Sequence, residues 1–265
     1  MKSRCNMENK FLTPSQTQVK AWARLAGAKF RKTEKVFPAE GVKVTEELLA
    51  SSWPLEAILL LPEKRKYWEK IVTKAPGSAP LYALSGTQWQ KISQDKEPEG
   101  IMALAVMPRE ESFTDYLACA SGNMLIIHEI NNPGNLGALL RSALWFGFNN
   151  IVLSTGSAEY TNPKTVRSSM GSLFHLHLIS DIPLKKALPE IKKSYYLVGS
   201  NVYAGRAPHF IQKNVALLLG SESHGLPDDL LTMADEQWSI PGSGKADSLS
   251  LPQAAAIMMY ECAKK

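Results

Sequence analysis

Short apolar runs alternate with amphipathic stretches along this chain, and the alternation is stronger in the second half than in the first. From Thr13 to about Phe30, TPSQTQVKAWARLAGAKF offers a Thr or Ser cap followed by Val19, Trp22, Ala23 and Ala26 at helical spacing, which predicts one amphipathic helix with a basic outer face. Runs at AILLL (57–61), PLYAL (80–84) and IMALAVM (101–107) read as strands, with helices around 46–50, 64–72 and 86–92 between them, so a small α/β layer is expected. The polar stretch Pro108 to Ser112 marks a boundary. Beyond it MLIIHE (124–129), NIVLS (150–154), SLFHLHLI (172–179), YYLVGS (195–200), VALLLG (215–220) and QWSI (237–240) read as buried strands. Helices are predicted between them at 136–146, 162–168, 183–192 and 226–233, with a last one over 251–263. That order predicts a mostly parallel sheet covered on both faces.

At 265 residues the chain is long enough for one large or two medium domains with proper cores. No run reaches the roughly 18 apolar residues of a membrane span. Residues 1–10 are polar, without the apolar stretch of a secretion signal, so the cytoplasm is the expected location. Cys5, Cys119 and Cys262 are widely separated and form no Cys-x-x-Cys pair; inert thiols are expected rather than disulfides or a zinc knuckle, and no metal is expected. The net charge of +5 is concentrated at one end. Nine basic residues (Lys2, Arg4, Lys10, Lys20, Arg24, Lys29, Arg31, Lys32, Lys35) face only Glu8 and Glu34 within residues 1–35. Such a face suits a polyanion, or is a solvated helix surface.

Three segments carry candidate chemistry, each where an apolar strand ends. In NNPGNLGALLR, from Asn131, Asn135 reads as a helix cap, Leu136, Leu139, Leu140, Ala143 and Leu144 form a stripe, and Arg141 lies off its centre. In LLLGSESHGL, glycines flank Ser221, Glu222, Ser223 and His224; the G-x-S-x-G spacing of a serine-hydrolase elbow is not met. In IPGSGKADSLSLPQAAA, from Ile240, the phosphate-loop pattern fails, because Ser239 stands where its first glycine belongs and Ala246 follows Lys245. No G-x-G-x-x-G follows a strand, which disfavours a dinucleotide site.

Together the three segments resemble the motifs of the SpoU (TrmH-like) RNA methyltransferases of the SPOUT superfamily. N-x-G-A-x-x-R appears as Asn135 to Arg141, G-x-E-x-x-G-L as Gly220 to Leu226, and the I-P…S-L-N helix start as Ile240-Pro241 with Ser248-Leu249-Ser250. The segment NPKTVRSSMGSLFHLHL, from Asn162, also looks like the family's linker. The resemblance implies an α/β fold: a C-terminal trefoil-knot domain over 121–265 with a mostly parallel sheet, a linker and first helix region at 108–120, and a smaller ribosomal-protein-like α/β domain over 1–107 that binds RNA.

It further implies methyl transfer from S-adenosylmethionine to a ribose 2′-hydroxyl of RNA, ribosomal RNA first and transfer RNA as the alternative. Arg141 is the expected catalytic residue, with Asn135, Glu222 and Ser248 as partners. Gly220, Ser221, Ile240, Leu249 and Ser200 are expected at the cofactor, and Lys29, Arg31, Lys32 and Lys35 on RNA. A homodimer through the knotted domain is also implied. Trp22 stacks on a base or fills the core, and its place on the apolar stripe favours the core. One departure is S-L-S for S-L-N: Ser250 lacks an amide's paired donor and acceptor. It leaves a second reading open, a catalytically impaired RNA-binding or ribosome-assembly protein that keeps the fold.

Overall fold

The computed structural model describes residues 11–245 and 247–264. Lys2, Arg4, Cys5 and Lys10 of the basic stretch lie outside the described residues, as does Ala246. Two compact units are present. One holds the described residues up to Arg109 together with Thr161–Phe174; the other holds Glu110–Tyr160 and His175 onward.

The first unit begins with two helices where the pattern predicts one: α1 (Gln16–Arg24) and α2 (Ala28–Glu34), parted at Gly27, the extended N-cap of α2. Ser15 caps α1, its Oγ accepting from Gln18 N while Gln18 Oε1 accepts from Ser15 N. Four strands follow: β1 (Val36–Glu40), β2 (Leu55–Leu60), β3 (Leu81–Ala83) and β4 (Ile101–Val106), in the order β1-β4-β2-β3. Strand β1 is missing from the sequence reading because Pro38 interrupts its run; it is an edge strand, where proline is tolerated. Helices α3 (Val42–Ala50), α4 (Arg65–Val72) and α5 (Gly86–Ile92) lie between the strands. Trp22 is buried in the core, edge-on to Tyr82 at 5.1 Å between ring centroids.

Thr161–Phe174 joins this unit through side chains that local pattern does not reveal. It contains α8 (Pro163–Ser168), whose Arg167 reaches Glu40 at 3.0 Å and Asp95 at 3.4 Å. Phe174 packs on Phe37 and Trp53, and a Cβ on Gly171 would lie 2.4 Å from Glu47 Cβ. The predicted strand over 172–179 therefore splits. Ser172–His175 is a 3₁₀ turn whose Leu173 and Phe174 are buried, and the strand begins only at His177.

The second unit contains α6 (Phe113–Cys119), β5 (Met124–Ile127), α7 (Pro133–Trp145), β6 (Asn150–Ser154), β7 (His177–Ile182), α9 (Leu184–Ile191), β8 (Tyr196–Ser200), β9 (Val215–Leu219), α10 (Asp228–Leu231), β10 (Glu236–Trp238) and α11 (Leu251–Ala263). Its sheet runs β10-β8-β9-β5-β6-β7 with every pairing parallel. Strands β5 and β9 are buried at every position, which is why they read as unbroken apolar runs. Tyr116 of α6 reaches through the core to donate to Ile151 O, and α11 packs against α7 and β9. Among the described residues no helix is long and apolar enough to cross a membrane.

Candidate active site

A fully parallel sheet puts the carboxyl ends of all its strands on one edge. From β5 the chain moves outward through β6 and β7, then returns to build β8, β9 and β10 on the other side, so direction reverses between β5 and β9. Open α/β sheets bind ligands at such a reversal. The first motif loop leaves β5, the second leaves β9 and the third leaves β10, while Ser200 ends β8 between the last two. Neighbouring strands are about 4.8 Å apart, so these ends share a strip on the order of 15 Å wide.

Asn132, not Asn135, caps α7: its Oδ1 accepts from Gly134 N at 2.9 Å and Asn135 N at 3.4 Å, with Pro133 opening the helix. A proline is suited to the first helical position because its missing N–H would be unpaired there. Asn135 is thereby released from capping, and its Nδ2 donates to Glu222 Oε1 at 2.5 Å, joining the first loop to the second. Leu136, Leu139, Leu140 and Ala143 anchor α7 in the core. Arg141 is exposed and makes no hydrogen bond or ion pair among the described residues. Helical side chains lean toward the N-terminus, and the residues three and four before Arg141 are the small Ala138 and Gly137.

The second loop is a closed turn. Ser221 N donates to Gly225 O and Gly225 N to Ser221 O, both at 3.0 Å, and His224 N donates to Ser221 Oγ at 3.3 Å. A Cβ on Gly220 would fall 2.1 Å from Gly225 C, so only glycine permits this closure. Glu222 is lifted to solvent at its tip. His224 is exposed and has no ion pair with an acid among the described residues, and no hydrolase triad forms.

In the third loop Ile240 is half-buried, the described residues of 241–250 are exposed, and Leu249 retains 47% exposure. Ser248 lies in that exposed stretch. Ser250 is the N-cap of α11: its backbone N–H and its hydroxyl both donate to Gln253 Oε1, at 3.3 and 3.0 Å. The departure from asparagine thus falls at the N-cap position of α11, where serine and asparagine are both common.

The candidate RNA contacts divide. Lys29, Lys32 and Lys35 are exposed, but Arg31 is 1% exposed. Its Nη1 donates to Leu25 O at 3.1 Å and Ala26 O at 2.8 Å, carbonyls left over at the end of α1. Arg31 is therefore corrected from an RNA contact to a structural cap, its guanidinium being occupied by the break between α1 and α2.

Other features escaped the pattern. Glu129, two residues beyond β5, holds φ +47 with its N–H donating to Ser154 Oγ at 2.8 Å. Asn201, following β8, donates to Gln237 Oε1 at 2.9 Å. A cavity of about 1000 Å3 lies at the opposite, amino edge, lined by Lys192, Tyr196, Lys213, Asn214 and Cys262. Its Lys192 is paired with Asp235, and the motif loops do not reach it. Burial pushes the Cys262 thiol up to about 12, whereas Cys119 is exposed. No group of residues able to hold a metal ion occurs among the described residues.

The chain is similar to known proteins along nearly its whole length. The model of the SpoU rRNA Methylase family matches residues 122–260, and that of the MRM3-like substrate binding domain matches 16–103. The 23S rRNA (guanosine(2553)-2′-O)-methyltransferase RlmP of Bacillus subtilis is 30% identical over 246 residues, covering 92% of this chain and 94% of that protein. The 23S rRNA (uridine(2479)-2′-O)-methyltransferase of Streptomyces viridochromogenes is 24% identical over 96% of this chain and 92% of its own. Among solved structures, an AdoMet-bound rRNA methyltransferase from Sinorhizobium meliloti superposes with a TM-score of 0.79 at 26% identity, covering 95% of this chain and 96% of that one. With the family's model matched over residues 122–260, more than half of the chain, and a relative 30% identical along 92% of it, this chain belongs to the SpoU rRNA methylase family.

Proposed function

We propose that this protein transfers the methyl group of S-adenosylmethionine to a ribose 2′-hydroxyl of ribosomal RNA. The observation that carries the reading is the Asn135–Glu222 hydrogen bond across the β5/β9 reversal, with the unpaired Arg141 guanidinium on the same helix. The site fits the cofactor by its donor set. The purine needs peptide groups and apolar flanks rather than charges, and the exposed backbone around Gly242 and Gly244, half-buried Ile240 and exposed Leu249 offer both. Gly220, Ser221, Ile240 and Leu249 would hold it, with Ser200 between them. When bound, it supplies an electrophilic sulfonium methyl group.

The chain's own residues prepare the acceptor. A guanidinium has a pKa above about 12 and does not act as a base at neutral pH, so the role of Arg141 is electrostatic. It holds the phosphate beside the target ribose and stabilises negative charge growing on the 2′-oxygen, whose proton leaves to solvent. Asn135, Glu222 and Ser248 position the loops around it. Fixed orientation of the reactants is worth roughly 7 to 11 kcal/mol, enough to make positioning the main task of such a site. Lys29, Lys32 and Lys35 hold the RNA backbone through counterion release.

Ribosomal RNA is favoured over transfer RNA because relatives similar along nearly the whole chain are named for 23S rRNA. Ser250 stands at the N-cap position of α11, and the non-catalytic reading is the alternative that turnover decides. The second unit forms a trefoil knot and acts as a homodimer in the cytoplasm. Trp145 (83% exposed) on α7, with Ile257 and Tyr260 on α11, gives an apolar surface for the second copy.

The test is incubation of the full chain with S-adenosylmethionine and unmethylated ribosomal or transfer RNA, followed by digestion to nucleosides and mass analysis. A 2′-O-methylnucleoside from ribosomal RNA, abolished by Arg141→Ala, is the expected result. A base-methylated product, or none, overturns the proposal.

A further inference from the structure

The segment between β8 and β9 carries Tyr203, at 96% exposure the most exposed of the large apolar side chains described. A lone exposed aromatic is ordinary. What distinguishes Tyr203 is the pedestal beneath it. Asn201 Oδ1 accepts from Tyr203 N at 2.9 Å and Ala204 N at 3.3 Å, while Asn201 Nδ2 donates to Gln237 Oε1 at 2.9 Å. Ser239 Oγ donates to Val202 O at 3.2 Å, and Ser239 N donates to Arg206 O at 2.8 Å. Gly205, at φ +133, lies so close that a Cβ would meet Gln237 O at 2.5 Å. The turn is thus fastened on both sides of Tyr203 to residues 237–239, the stretch that runs directly into Ile240 and the third motif loop.

An aromatic ring on a rigid mount offers stacking area with little entropy left to lose on binding. Its surroundings select the partner. Between Ser200 and Asn214 the chain contains no acidic residue and carries Arg206 and Lys213; the acid against this segment is Glu236 of β10, 3.7 Å from His209. Arg206 is exposed, without a hydrogen bond from its guanidinium or an ion pair among the described residues. A ring and an exposed guanidinium three residues apart on one fastened turn match an unpaired nucleobase and a neighbouring phosphate, the combination by which proteins hold single-stranded RNA.

We propose that Tyr203 stacks on an unpaired base of the RNA substrate flanking the modified nucleotide, with Arg206 on a neighbouring phosphate. This rests on the reading of the chain as an RNA ribose methyltransferase. It names a contact on the catalytic unit itself, separate from the lysines of α2 and its C-cap.

The experiment uses the full chain and unmethylated ribosomal RNA, with binding measured by filter retention and transfer by single-turnover kinetics. Tyr203→Ala is expected to weaken RNA binding about 10-fold, the size of one lost base–aromatic stack, and to leave S-adenosylmethionine affinity unchanged. Tyr203→Phe is expected to restore binding, since stacking needs the ring and not the hydroxyl. Arg206→Ala is expected to lower the salt dependence of binding by about one ion. RNA affinity of Tyr203→Ala within twofold of wild type overturns the proposal. A Tyr203→Phe variant as weak as Tyr203→Ala, or a change in cofactor affinity, also overturns it. Failure of the wild type to methylate the RNA overturns the functional reading itself, and the wild-type arm separates that outcome from failure of the stacking contact alone.

Discussion

Asn135 Nδ2 donates to Glu222 Oε1 at 2.5 Å across the place where the strand order reverses, joining two loops whose residues are 87 positions apart in the chain. Because Asn132 performs the capping, the Asn135 side chain is not needed there, and its Nδ2 makes this bridge. The pair is solvent-accessible, so its contribution to overall stability is small. Its effect is expected in transfer: Asn135→Ala and Glu222→Ala should each slow methylation at least about 10-fold at unchanged melting temperature. A double-mutant cycle should show that the second change adds little to the first, with a coupling nearly as large as either single effect, at least about 1.4 kcal/mol. Fully additive effects would mean that the two residues act separately.

Gly220→Ala tests the closed second loop. The added methyl would sit 2.1 Å from Gly225 C and 2.3 Å from Leu226 N, both backbone atoms that cannot rotate aside. The Ser221–Gly225 pair must open, and calorimetric titration should show S-adenosylmethionine affinity reduced at least about 10-fold. Denaturant unfolding should show a loss of about 1 to 3 kcal/mol, the usual range for overpacking. Undiminished affinity would remove this loop from the cofactor site.

Arg31 and its lysine neighbours should part company on mutation. Arg31→Met leaves Leu25 O and Ala26 O without their charged donor in a buried setting and should cost about 2 kcal/mol of stability. Lys29→Ala combined with Lys32→Ala, at exposed positions, should leave unfolding unchanged while weakening RNA binding and flattening its salt dependence. Chemical denaturation and salt-dependent RNA binding separate the two classes.

The contrast at Arg31 shows what kind of information the sequence held. The strands of the second unit were legible because burial on both faces removes polar interruptions, as in VALLL of β9. The three motif loops were legible because glycine, asparagine and serine at strand ends leave a trace in composition as well as in space. Charge was legible only as a total: nothing local separates Arg31 from Lys32, since Arg31 is buried by the break at Gly27, in a stretch that reads as one continuous helix. Strand β1 was hidden by Pro38, whose tolerance depends on an edge position that no local window reveals. Phe174 looks like a strand residue in SLFHLHLI because hydrophobicity does not say which core it fills; it packs on Phe37 and Trp53, more than a hundred residues away in sequence. Tyr203 left no periodic trace at all, because its significance lies in the hydrogen bonds that hold its backbone.

Glu40 provides a test by pH. Burial pushes its carboxyl above the ordinary value of 4.5, against the opposing pull of the Ser93 hydroxyl and the Arg167 guanidinium. A raised carboxylate pKa means that the folded chain holds the proton more tightly than the unfolded chain. The associated stability is fully present below about pH 4.5 and is lost as pH rises through the folded value. Glu40→Gln keeps the shape of the protonated acid and cannot ionise. The wild type should therefore lose stability relative to Glu40→Gln as pH is raised from about 4 toward neutrality, measured as the difference in denaturation midpoint, and the difference should level off once Glu40 is ionised in both states. Arg167→Met should enlarge the loss and carry it to higher pH, because the carboxylate formed there would be buried without its cation. A difference of opposite slope would mean that the Arg167 ion pair, at 3.0 Å, outweighs the cost of burial and holds the carboxyl below its ordinary value.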